Sequence, residues 1–181
     1  MVRLLLDHYG LDYELVDVGN VADADAAMFG DNPLMKVPVL RDGDVFLIES
    51  DHIAAHIVRR HDPADRFGVL TTAPDALNMR AVLNGVMAEG VKIILAERTG
   101  LHTENLPVFQ KARTGVENGL RWLEARSDQL DPAHAGYAEF HFVSMWDHLR
   151  RYALVPLDYP KLAAIAASLG AQETIARSAP Q

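Results

Sequence analysis

A chain of 181 residues, 49% of them apolar and 23% charged, has material for one ordinary domain or two small ones, each with a true core. Its formal charge of -8 argues against the net basic face that nucleic-acid phosphates require, while leaving room for a local cationic pocket. There is no cysteine, so disulfides, thiolate zinc sites and a cysteine nucleophile are excluded, and a reducing, cytoplasmic setting is expected. The start, Met1 to Asp7, offers three leucines and then an acidic residue, not a signal peptide. No apolar run approaches the ~20 residues of a membrane span.

In chain order, Val2, Leu5, Leu6 and Tyr9 fall at helical spacing, and Gly10 stops the helix. The β-branched and aromatic run from Tyr13 to Val18 predicts a strand. Ala22 to Phe29 predicts a short helix, ended by Gly30-Asp31-Asn32-Pro33. Two strands follow, over Val37 to Leu40 and Val45 to Ile48, with Asp42-Gly43 between them as a hairpin signal. Ser50 or Asp51 then caps a helix burying Ile53, Ala54 and Ile57.

From His61 to Thr72 the pattern breaks at Pro63 and Gly68, and beyond it no strand is expected. Four helical stretches are predicted instead. The first runs from Pro74 to Arg98, with Leu83, Val86, Met87 and Ile94 inward and with Gly85 and Gly90 allowing close packing or a bend. The second runs from Pro107 to Ser127, with Val116, Leu120 and Leu123 inward. The third, Ala138 to Ala153, carries Phe142, Met145, Trp146 and Leu149. The last, Pro160 to Arg177, is interrupted near Gly170. The fold class is α/β plus all-α: a mixed domain over residues 1–62, a linker over 63–72 and a helical-bundle domain over 73–181.

The segment from Asn32 to Ser50 carries the chemistry. Pro38 cannot donate to a ladder, so it belongs at a strand start. A cis Val37–Pro38 bond would turn the Val37 N–H and C=O outward, where an extended peptide could pair with them. Glu49-Ser50 lies at a helix N-terminus, which favours a carboxylate, and Lys36 adds a cation. A small acidic peptide bearing an amine suits this set.

Other residues read more plainly. His52 and His56 are four apart on one helix, near Glu49 and His61, a spacing that can ligate metal. The metalloprotease pattern is absent, and no metal site is expected. Phe142, Met145 and Trp146 read as core rather than as pocket lining, and Arg80 and Asn84 as surface.

The run Asn32-Pro-Leu-Met-Lys-Val-Pro-Val-Leu-Arg-Asp-Gly-Asp-Val-Phe-Leu-Ile-Glu-Ser50 resembles the glutathione-binding half of the glutathione transferase family. Val2 to Tyr13 is similar to that family's first helix and the entry to its second strand. The resemblance implies a thioredoxin-like N-terminal domain lacking its first strand, followed by an all-helical domain. It implies glutathione as cosubstrate, with Val37 binding the cysteinyl unit through its backbone and Pro38 as the cis-proline. Glu49 and Ser50 would hold the γ-glutamyl end, and Lys36 would approach the glycyl carboxylate. The implied activity is conjugation of glutathione to a small apolar electrophile. A glutathione-dependent isomerase or dehalogenase and a non-catalytic binding or regulatory protein are the alternatives, and a homodimer is expected. The Ser, Tyr or Cys that stabilises the thiolate in that family would fall upstream of Met1, so no catalytic residue is assigned within the chain. The family's Ser-x-Ala-Asp box corresponds to Gly136-Tyr-Ala-Glu139 here, a departure at its first and fourth positions.

Overall fold

The computed structural model describes residues 1–22 and 25–178. They form two units, Met1–Leu70 and a second from Thr71 onward.

In the first unit, α1 (Val2–Tyr9) buries Leu4, Leu5 and Leu6. It ends at Gly10 in the left-handed region (φ 63°), whose N–H donates to Asp7 O and Leu6 O. The strand expected from Tyr13 to Val18 does not form. That stretch lies outside any ladder, with Leu15 and Val16 58% and 73% exposed. A strand needs a neighbour to satisfy its ladder, and the two strands among the described residues pair with each other. The helix expected from Ala22 to Phe29 shrinks to a 3₁₀ turn, Ala26–Phe29; Asp23 and Ala24 lie outside the described residues. Asp25 caps that turn through Ala27 N, and Gly30 (φ 60°) ends it.

Strands β1 (Val39–Asp42) and β2 (Val45–Ile48) form the antiparallel hairpin, with Val39 opposite Ile48 and Asp42 opposite Val45. β1 starts two residues later than expected, just after Pro38, which has no N–H for the ladder. Helix α2 (Ser50–His61) follows and buries Ile53, Ala54, Ile57 and Val58. The Tyr9 hydroxyl donates to Asp62 Oδ2 at 2.8 Å, tying the ends of α1 and α2.

The second unit is helical throughout: α3 (Pro74–Arg98), α4 (Pro107–Glu124), α5 (Tyr137–Tyr152), α6 (Pro160–Gly170) and α7 (Glu173–Ala176). Its core holds Leu83, Val86, Ile93, Val116, Leu120, Leu123, Phe140, Phe142 and Met145, with Trp146 also buried. Met87, expected inward, is only half-buried. The glycine that packs tightest is on α4. A Cβ on Gly119 would overlap Val86 Cγ2 of α3, so the two helices approach closely there. Gly85 faces open space, and Gly90 sits against Leu149 and Leu154.

Two polar devices hold the helices. The buried Glu139 carboxylate accepts from Gly136 N at 2.8 Å and from Asp131 N at 2.9 Å, so the Glu half of a capping box forms, while Gly136 has no side chain to supply the other half. Arg113 donates to Leu154 O (2.6 Å), Glu97 Oε1 (2.6 Å) and Thr103 Oγ1 (2.9 Å), joining α3, α4 and the end of α5.

Candidate functional site

The candidate site lies in the first unit, where the loop after Phe29 meets the hairpin. Asn32 is buried, and its side chain does the work of a scaffold. Its Nδ2 donates to Lys36 O at 2.7 Å, and its Oδ1 accepts Leu34 N–H at 3.0 Å. Met35 N–H donates to Asn32 O at 3.1 Å, with Met35 at φ 48°. The loop is therefore folded around one carboxamide, which fixes the direction of the chain into Val37.

The Val37–Pro38 bond is cis. Val37 is 48% exposed, and no hydrogen bond among the described residues engages its N–H or C=O. Lys36 is exposed as well. The hairpin register then does the positioning. Because Val39 pairs with Ile48, Pro38 and Glu49 flank the same end of the hairpin. The sequence-predicted residues Lys36, Val37, Pro38, Glu49 and Ser50 thus fall on two short segments meeting at that end.

Glu49 is the unusual residue. It has φ 71° and ψ 126°, outside the favoured regions for a residue with a Cβ, at a cost of about 1–3 kcal/mol. Its carbonyl accepts Ile53 N–H at 3.0 Å, opening α2. The chain turns sharply at this residue from strand into helix. That leaves the Glu49 side chain exposed and Ser50 in the first helical position. The N–H groups and dipole of the α2 terminus favour a carboxylate there. The exposed Glu49 carboxylate suits an ammonium, and the Val37 backbone suits an extended peptide unit.

At the other end of the hairpin, Asp42 Oδ2 takes two hydrogen bonds from α2, from His56 Nε2 at 3.0 Å and Arg60 Nη1 at 3.1 Å. The His56 hydrogen bond holds the Asp42 carboxyl below the usual aspartate range, against partial burial and with help from Arg60. No group of three or more His, Cys, Asp or Glu side chains suited to a metal occurs among the described residues. Sequence reasoning missed the Asn32 brace, the Glu49 backbone and this cluster. The His56/Arg60 spacing of four was the readable signal for the last. Arg80, expected on the surface, is half-buried with its guanidinium 4.9 Å from the Tyr137 ring.

Comparison with known proteins bears on the domain and the fold. Residues 1–65 match the family described as "Glutathione S-transferase, N-terminal domain". Over 63 residues, 33% of this chain, the sequence is 46% identical to glutathione S-transferase 4 of Zea mays, a match spanning 28% of the maize protein. The whole fold is similar to a glutathione S-transferase of Methylobacillus flagellatus KT crystallised with GSH bound. That match has a TM-score of 0.81 and 25% identity, covering 99% of this chain and 93% of that one. A bacterial zeta-class maleyl pyruvate isomerase in its holo form is also similar, with a TM-score of 0.74 and 21% identity over 99% of this chain and 90% of that one. Residues 1–65 thus match the glutathione S-transferase N-terminal domain, and the chain has the fold of these transferases, a thioredoxin-like N-terminal domain followed by an all-helical one.

Proposed function

We propose that the chain binds glutathione at the end of the hairpin and presents its sulfur to a small apolar electrophile. The observation that carries this is the register that sets Val37-Pro38 and Glu49-Ser50 at one end of β1 and β2, beside the N-terminus of α2. In this reading Val37 pairs through its backbone with the cysteinyl unit. Glu49 takes the γ-glutamyl ammonium, Ser50 and the helix terminus take the adjoining carboxylate, and Lys36 takes the glycyl carboxylate.

The reacting sulfur belongs to glutathione, so a protein without cysteine can take part. The thiol loses its proton, the thiolate forms a bond to the electrophilic carbon, and a leaving group departs where the electrophile carries one. The residues named here bind and orient; none is assigned to hold the thiolate. Glutathione-dependent isomerisation is the second reading, favoured by the fold's likeness to the maleyl pyruvate isomerase. We also place the protein in the cytoplasm as a homodimer, a reading supported by its cysteine-free composition and by family resemblance.

The test is calorimetric titration of the 181-residue chain with reduced glutathione. Saturable micromolar to millimolar binding, weakened by Glu49→Gln, is expected. A folded protein that shows no heat of binding overturns the reading.

A further inference from the structure

The hairpin and α2 are joined at two places. One is covalent, through Glu49. The other is the cluster in which Asp42 accepts from His56 and Arg60. His56 and Arg60 stand one turn apart on α2, so both reach the same carboxylate oxygen. Asp42 and His56 are each seven residues from Glu49, one before it and one after. The contact therefore closes a ring containing β2, Glu49 and the first half of α2. Within that ring Glu49 is the one non-glycine residue with positive φ. A backbone held outside its favoured regions persists only where the surroundings over-determine it. Buried Ile53 and Ala54 hold α2 from the core side. The ionic cluster holds it to the hairpin tip from the solvent side.

We propose that Asp42, His56 and Arg60 form a clasp that keeps Glu49 in its positive-φ turn and so sets the geometry of the Glu49–Ser50 subsite. All three are positioning residues, acting through Glu49. The claim about ligand affinity rests on the glutathione reading above; the claim about the Glu49 backbone does not. Isolated surface ion pairs contribute little. Here one acceptor serves two donors, and the His56 side chain is 24% exposed.

The test compares His56→Ala with His56→Gln, which keeps an N–H donor. Glu49→Gly alone and with His56→Ala completes a thermodynamic cycle, because glycine tolerates positive φ. His56→Ala is expected to shift the Glu49 and Ser50 amide resonances and weaken glutathione binding by about threefold or more, with His56→Gln recovering part of both. In the Glu49→Gly background the Tm lost through His56→Ala should be larger than in the parent, because removing the clasp no longer releases strain at position 49. Unmoved Glu49 and Ser50 amides, or Tm losses that simply add, overturn the proposal. If His56→Ala does not fold, Arg60→Ala, at an exposed side chain, gives the same readouts. A parent chain that binds no glutathione defeats the functional reading alone, and the amide shifts and the Tm cycle still decide the clasp.

Discussion

Two glycines on neighbouring helices should respond oppositely to the same substitution. Gly85 on α3 faces open space, whereas a Cβ on Gly119 of α4 would overlap Val86 Cγ2. In a helix interior, Gly→Ala gains about 1 kcal/mol from backbone propensity. At Gly85 nothing opposes that gain. At Gly119 the new methyl meets a β-branched side chain with a stiff χ1, and overpacking costs about 1–3 kcal/mol. Gly85→Ala should therefore stabilise by about 1 kcal/mol, and Gly119→Ala should destabilise by up to about 2 kcal/mol. Propensity cancels in the difference, so the gap measures the packing cost, and at this length it corresponds to roughly 2–12 °C in Tm. Thermal and urea unfolding followed by circular dichroism at one pH suffices. Val86→Ala should also cost less beside Gly119→Ala than alone, with a coupling of about 1 kcal/mol. If Gly119→Ala is as stable as Gly85→Ala, the close approach of α3 and α4 described above is wrong.

Glu139→Ala should cost about 2–3 kcal/mol, because it strands the N–H groups of Asp131 and Gly136; chemical denaturation measures it. The Asp131 carboxyl is held below its ordinary range, chiefly by the His134 hydrogen bond. On acidification the unfolded chain takes up that proton first. The contribution is present above the ordinary aspartate range near pH ~4 and is lost as pH falls through the lower folded value. The stability gap between parent and Asp131→Asn should therefore close in acid. Asp147 is the reverse case: burial pushes its carboxyl up, against Arg150 and His148. Asp147→Asn should be the more stable form at neutral pH, with an advantage that shrinks as the parent protonates. Lys36→Ala should weaken glutathione binding severalfold at low salt and less at about 0.5 M salt, as calorimetry would show, because the exposed charge is screened.

The helices of the second unit were legible because their apolar spacing and their starting prolines, Pro74, Pro107 and Pro160, act locally. The hairpin and the start of α2 were legible for the same reason, through Asp42-Gly43 and Ser50. The run from Tyr13 to Val18 has strand composition and yet stays out of any ladder, because a strand depends on a neighbour that propensity does not describe. Gly119 was passed over for the same physical reason, since its role depends on Val86 in another helix. The residues of the candidate site could be named from their motif. What the motif did not reveal was how they are held: Asn32 folding the loop, and Glu49 turning the chain at positive φ.

Because the Asn32 carboxamide carries the frame of its loop from the inside, the outward residues of that loop are free for labelling. Leu34 is 56% exposed, and only its main chain takes part in the brace. The sequence has no cysteine, so Leu34→Cys would give a single thiol for a fluorophore within a few residues of Val37. The protein would then report occupancy of its own binding loop by a change in emission, independently of turnover.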